Sequence, residues 1–492
     1  MKILSKPIRT PLKTDLLVLA VSEGKLQSSF AKQIDKRLNG FITQIIKKEN
    51  FQGKSGDARL LDVSSGPVRS ILLVGFGEGN KQDAETLRKM AARGIRYGKK
   101  LKVGKVTLED VSLVGIAALQ RGQAFAEGVL LGDYHFTVYK TDSESKKKPT
   151  VLEVEILSNE TAPLNQGIRR GTIFAESTNL ARDLVNTPAS DMTPKHVADE
   201  AKKLSKLPHV SVKVYDKKAI EKMGMGCYLA VSYGSTQPPY FIHVTYRPPT
   251  RPRKRMVIVG KGITFDSGGL SLKTAQSMET MKDDMSGAAA MLGVMKALST
   301  LKPPVEVHGI SAVTENMPSG SAEKPGDIAR SMNGKTVEIL NTDAEGRLTL
   351  ADALTYALKL KPDLVIDAAT LTGACVVALG ELCSGIMGND EKLIQKLTDC
   401  GKVAGEKIWP LPLIEEYKQD LKSSIADLKN IGGRWAGTIN AGLFLQEFVD
   451  PKIPWAHVDI AGPSWTEKEL DYCPRGGTGH LVRTLLHFIL ES

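Results

Sequence analysis

Met256-Val-Ile-Val-Gly-Lys-Gly-Ile-Thr-Phe-Asp-Ser-Gly-Gly269 changes character in mid-course. Its first five residues form an apolar run suited to a buried strand, and the next nine are glycine-rich, with one lysine and one aspartate. The same rhythm recurs further on. Val305 to Val313, Thr336-Val-Glu-Ile-Leu340 and Leu364-Val-Ile-Asp-Ala368 read as strands, and Ser286 to Leu298 and Arg347 to Leu358 read as helices. Apolar strands alternating with helices predict an α/β fold with a mixed sheet covered by helices on both faces. Ligands of such sheets gather beyond the carboxyl ends of the strands.

Outward from this region, the first third repeats the pattern. Leu16 to Val21, Ser70 to Val74 and Val151 to Leu157 are strand candidates, and Gln82 to Leu101 has helical composition. Lys140 to Thr150 reads as an exposed loop. A long helix from about Leu164 to Val185 ends at Asn186-Thr-Pro-Ala189. At 492 residues, two domains are expected. We take 1–160 as a smaller N-terminal α/β domain, 161–186 as a connecting helix and 187–492 as a larger catalytic domain.

The composition narrows the class. Apolar residues make up 41% and charged residues 25%, and no apolar run reaches the ~18 residues of a membrane span. The first residues lack a secretory apolar core, and the five cysteines include no C-x-x-C pair. A cytoplasmic location follows as an expectation. Residues 1–150 hold 27 Lys/Arg against 15 Asp/Glu, so the whole basic excess lies there. Such asymmetry admits DNA or another polyanion as a second partner. A lysine-rich solvated surface is the preferred account, because no run exceeds Lys146-Lys147-Lys148 and no aromatic residues are interleaved.

Charged residues accumulate after the predicted strand ends: Lys261, Asp266 and Lys273; then Lys282-Asp-Asp284 at a helix start; then Asn341-Thr-Asp-Ala-Glu-Gly-Arg347. If that last turn is extended, Asp343, Glu345 and Arg347 point to one side. Four carboxylates (Asp266, Asp284, Asp343, Glu345) balance two divalent cations. Without metal, carboxylates so crowded repel one another and at least one protonates. Oxygen donors suit Mn²⁺ or Mg²⁺ and, with a nitrogen donor, Zn²⁺.

These three segments, with Asn179-Leu-Ala-Arg-Asp-Leu-Val-Asn-Thr-Pro188 and Asp367-Ala-Ala-Thr-Leu-Thr-Gly373, resemble the cytosol (leucyl) aminopeptidase family, bacterial type. The resemblance covers roughly residues 160–490 well and the first third more loosely. It implies a metal-dependent exopeptidase that removes N-terminal residues from peptides, Leu and other apolar residues preferred, by means of a water bridging two metals. One metal would be held by Lys261, Asp266, Asp284 and Glu345, the other by Asp266, Asp343 and Glu345. Lys273 and Arg347 match the catalytic positions, with a bicarbonate anion at Arg347. Met281, Thr370, Leu371 and Gly373 match substrate-binding positions, and a homo-hexamer is implied. A lysine ligand costs about 4.6 kcal/mol to deprotonate at pH 7, which coordination must offset.

Other signals carry less. Phe265-Asp-Ser-Gly-Gly269 echoes a serine-protease nucleophile segment, but it follows a buried strand of an α/β pattern. Val74-Gly-Phe-Gly-Glu-Gly79 lacks the third glycine of a dinucleotide fingerprint and reads as a strand–helix turn. No H-E-x-x-H occurs, and His457, His480 and Cys375 read as packed structural groups.

Overall fold

The computed structural model describes residues 1–8, 12–63, 68–142 and 151–492. Most of the loop expected at 140–150, with its lysine run, lies outside the described residues.

The chain forms two compact units, Met1–Glu176 with Lys468–Pro474, and Ser177–Glu467 with Arg475–Ser492. The helix expected as a connector spans Thr161–Asn186, and the division falls within it.

In the first unit, strands run in the order Lys2–Lys6, Glu153–Leu157, Lys105–Glu109, Thr14–Ser22, Val68–Gly75 and Ala58–Asp62. All are parallel except the last, which pairs antiparallel with Val68–Gly75. Residues 16–21 of the central strand are all fully buried, as a continuous apolar run covered on both faces requires. Helix Ala84–Lys100 starts at a capping box in which Asp83 and Thr86 satisfy each other's amides. The Gly75–Gly79 segment is a turn between strand and helix, as expected from its incomplete fingerprint.

The second unit is built on a mixed nine-stranded sheet. Its order is Lys407–Pro410, Cys383–Gly388, Trp455–Asp459, Leu364–Ala369, Arg255–Gly260, Glu306–Asn316, Tyr240–Tyr246 and Val210–Tyr215, with Gly262–Asp266 alongside Glu306–Asn316. The four central strands are parallel, and Tyr240–Tyr246 and Val210–Tyr215 pair antiparallel beyond them. Helices Ser286–Leu301 and Gly346–Leu358 both pack on Arg255–Gly260. Leu348, Leu350 and Leu354 share a core with Val257, Val259 and Val365. The alternate residues Met256 and Ile258 face the other way, so both faces of the sheet are covered. Thr336–Ile339 forms instead a small sheet with Asp327–Arg330 and Leu428–Lys429.

Candidate metal centre

The charged groups singled out in the sequence, apart from Lys282 and Arg347, line one cavity of about 530 Å³ in the second unit. The fold explains why. Lys261 directly follows Arg255–Gly260, Asp266 ends Gly262–Asp266, and Thr370 directly follows Leu364–Ala369. The first and last are neighbouring parallel strands, and Gly262–Asp266 runs parallel to Glu306–Asn316 on the other side of Arg255–Gly260, so all three carboxyl ends open on the same side. Asp284 arrives on the short 3₁₀ turn Met281–Met285 that leads into Ser286–Leu301. The helix start approaches the sheet closely because a Cβ at Gly287 would lie 2.1 Å from the Ala368 carbonyl oxygen.

The Asn341–Arg347 segment delivers its carboxylates differently from expectation. It is not extended: Glu345 is already αR, at φ −78° and ψ −34°, and Gly346 begins the helix. Asp343 and Glu345 still converge because the turn folds over Lys261. A Cβ at Gly346 would lie 2.3 Å from Lys261 Cε, so only glycine leaves room for the lysine chain.

One donor oxygen from each of Asp266, Asp343 and Glu345 lies within 4.8 Å of the others. Lys261 Nζ is 2.8 Å from Asp284 Oδ1 and 2.9 Å from Glu345 Oε1, and it donates to the Thr370 carbonyl at 2.9 Å. Lys273 Nζ is 2.9 Å from Asp266 Oδ2 and also contacts Asp343. The five expected metal-binding residues and Lys273 thus share one site. Asp284 Oδ2 is buried and accepts no hydrogen bond. Burial alone would push Lys261 down, but Asp284, Glu345 and Asp266 outweigh it and hold the amine above its ordinary pKa. Burial raises Asp284, Asp343 and Glu345, and repulsion from the neighbouring Asp266 adds to it in each case. A cage of carboxylates that two ammonium groups only partly neutralise fits divalent cations.

Arg347 is buried and is not among the cavity-lining residues. Its Nη1 donates to the Asn430 carbonyl at 2.6 Å, while Nε has no hydrogen-bond partner. Burial lowers its pKa to about 10, against the pull of Glu345 and Asp459. Met281, Thr370, Leu371 and Gly373 line the cavity together with Leu272, Val376 and Ala461.

The residues that hold these groups in place carry no motif in the sequence. Asn316 Nδ2 donates to Asp266 Oδ1 and to the Thr342 carbonyl. Thr342 Oγ1 donates to the Gly268 carbonyl at 2.6 Å and accepts from Ser271 N at 2.8 Å. Asn430 accepts from Leu340 N and donates to the Asn341 carbonyl. Their only local signal is position, at or just after a strand end.

The rejected alternatives fall into place. Ser267 Oγ donates to the Asn316 carbonyl at 2.7 Å and serves as a structural bond. His457 is fully buried against Asp367, His480 Nε2 lies 2.8 Å from Ser384 Oγ, and the buried Cys375 thiol is pushed up to about 12 by desolvation.

Comparison with known proteins agrees with this geometry. The model of the cytosol aminopeptidase family's catalytic domain matches residues 179–486, and that of its N-terminal domain matches 18–143. The chain belongs to the cytosol aminopeptidase family. A Persephonella marina protein described as "Probable cytosol aminopeptidase" is 44% identical over 100% of this chain and 99% of its own. A Sulfurihydrogenibium protein of the same description is 45% identical over 98% and 96%. Among solved structures, a mutant of tomato leucine aminopeptidase is similar with a TM-score of 0.91, at 36% identity, covering 100% of this chain and 97% of that one. The bottromycin maturation enzyme BotP in complex with Mn gives 0.86 at 35% identity, over 97% and 99%. As a cytosol aminopeptidase, the chain is a metal-dependent hydrolase acting at peptide N-termini. No helix among its described residues is long and apolar enough to cross a membrane.

Proposed function

We propose that the protein is a dimetal leucyl aminopeptidase. The observation that carries this reading is the convergence of Lys261, Asp266, Asp284, Asp343 and Glu345 in one cavity beside Lys273. Lys261, Asp266, Asp284 and Glu345 would hold one divalent ion, and Asp266, Asp343 and Glu345 a second. When bound, the ions supply Lewis acidity and an acidified water for amide hydrolysis.

The protein's own groups do the rest. The Lys273 ammonium stands between Asp266 and Asp343, where it donates to the scissile carbonyl oxygen as negative charge develops on it. Arg347 does not transfer a proton itself; its Nε makes no hydrogen bond and would be free to hold an anion such as bicarbonate. Met281, Leu371, Val376 and Ala461 give part of the cavity an apolar wall suited to a Leu or Met side chain, with Thr370 and Gly373 at its margin. Mn²⁺ or Zn²⁺ suits the mixed lysine and carboxylate donors best, with Mg²⁺ as the alternative.

The same reading takes the enzyme to be a cytoplasmic homo-hexamer acting on peptides. Its five unpaired thiols, and the exposed Val377, Leu382, Trp409 and Trp435 of the second unit, are consistent with that. DNA binding is not adopted. It would rest on net charge alone, and Lys6, Arg59, Arg93, Lys105 and Arg121 are already paired with carboxylates of the first unit.

The deciding experiment assays metal-depleted enzyme on leucine p-nitroanilide with Mn²⁺, Zn²⁺ or Mg²⁺ added back. Activity should return with two ions per chain and favour leucine over charged N-terminal residues by at least about 10-fold. Full activity with one ion, or with none, would refute the dimetal reading.

A further inference from the structure

The wall of the cavity facing the metal donors comes from two separate segments, and both depend on one carboxylate. Leu371 and Ala461 line the cavity from different loops. Asp459 Oδ1 accepts from Leu371 N at 3.1 Å and from Ala461 N at 3.2 Å. Asp459 Oδ2 accepts from Thr372 Oγ1 at 2.7 Å. Thr372 in turn caps helix Gly373–Leu379, accepting from Cys375 N at 3.1 Å, and its hydroxyl lies 3.0 Å from Thr438 Oγ1.

Register explains how one side chain reaches all three. Asp459 ends strand Trp455–Asp459 opposite Ala369, which ends Leu364–Ala369. The carboxylate therefore sits where the chain leaves the neighbouring strand for the cavity wall. It is fully buried and lines no part of the cavity. Its hydrogen bonds all come from the segments that form the cavity wall and its helix cap, so the side chain is placed to fix them.

We propose that Asp459 is a positioning residue of the aminopeptidase reaction: it sets the Leu371–Thr372 and Ala461 segments against the metal donors without touching substrate. This rests on the functional reading above, in which Leu371 and Ala461 form part of the wall that receives the substrate.

The test uses the full-length, metal-loaded enzyme and its Asp459→Ala, Asp459→Asn and Thr372→Val variants. Bound metal, kcat and KM for leucine p-nitroanilide, and amide exchange over residues 366–376 and 459–464 are measured. Asp459→Ala should keep its metal, exchange faster in both segments and lose about 10- to 100-fold in kcat/KM, chiefly through KM. Asp459→Asn keeps an acceptor for both amides and should restore most of KM. Thr372→Val removes the Oδ2 bond together with the Cys375 cap and the Thr438 contact, leaves both Oδ1 bonds, and should give a smaller rise in KM with faster exchange in 366–376 alone.

Wild-type KM and exchange in folded, metal-loaded Asp459→Ala would overturn the proposal. So would Asp459→Asn as impaired as Asp459→Ala. If Asp459→Ala does not fold, Thr372→Val decides, and unchanged KM and exchange there reject the assignment. An inactive wild-type enzyme would instead defeat the functional reading, while the exchange measurement would still judge whether Asp459 holds the wall.

Discussion

The side-chain amide of Asn316 donates to Asp266 Oδ1 at 2.8 Å and, through the same nitrogen, to the Thr342 carbonyl at 2.9 Å. The pairing links two of the three segments that bring carboxylates to the cavity. Asn316 ends Glu306–Asn316, the strand beside Asp266, and its own carbonyl accepts from Ser267 N and Oγ. One residue thus orients the carboxylate assigned to both metals and fixes the turn that carries Asp343.

Replacing Asn316 with Ala should therefore act on metal binding before it acts on substrate. Partners behind metal ligands contribute about 10- to 100-fold in affinity. We expect Asn316→Ala to weaken binding of the second ion by that factor, with KM for leucine p-nitroanilide unchanged once metal is saturating. Isothermal titration with Mn²⁺ measures it, and wild-type affinity for both ions would show that the bond does not orient the ligand.

Metal binding should expel protons. Lys261 is held above its ordinary pKa, and Asp284, Asp343 and Glu345 are raised by burial and by repulsion from Asp266. Each of these groups must be unprotonated to ligate, so protons compete with metal and affinity must rise with pH. Mn²⁺ added to metal-depleted enzyme in weak buffer at pH 7 should release at least one proton per chain. The apparent Kd should rise from pH 8 to pH 6, and Lys261→Ala should release fewer protons. A pH-independent Kd would contradict the ligand set.

Lys273 and Arg347 are assigned to stabilising charge during the reaction, not to holding ions. Lys273→Ala and Arg347→Ala should each lower kcat, the first by about 100- to 1,000-fold, as loss of an oxyanion-stabilising donor does. Metal content, read by atomic emission, should stay at two ions per chain. Loss of metal in parallel with activity would move these residues from catalysis to ligation.

Much of this was legible because strand endings advertise themselves. Residues 256–260 are apolar, Lys261 and Asp266 follow at once, and no packing requirement explains a lysine and an aspartate there. The second layer was silent for a physical reason. Asn316, Thr342 and Asn430 act on backbone groups or on ligands far along the chain, and a lone Asn or Thr at a loop looks like any turn residue. The Asn341–Arg347 turn misled because alternation was assumed where Glu345 already has helical angles. The placement of Lys468–Pro474 with the first unit was also hidden. It depends on Arg93–Asp471 and Arg96–Glu469, pairs that no local pattern announces.

The last prediction concerns a carboxyl that the chemistry does not use. Glu109 ends strand Lys105–Glu109 in the first unit, 1% exposed, and accepts from Ala20 N and Ser28 Oγ. Desolvation raises its pKa to about 7, against the pull of those two bonds. The folded state therefore keeps a proton that the unfolded chain gives up near pH 4.5. Stability from this group is complete below about pH 4.5 and is lost as pH rises to about 7, a change of up to about 3 kcal/mol. Glu109→Gln cannot titrate, and its amide oxygen still accepts from Ala20 N. Relative to wild type, the variant should gain stability between pH 5 and pH 8 by a large part of that amount. Denaturant midpoints of both metal-loaded proteins at the two pH values give the difference, from which the shared metal site cancels. An offset that stays constant between them would mean that Glu109 is already ionised at pH 5, with its two hydrogen bonds outweighing its burial.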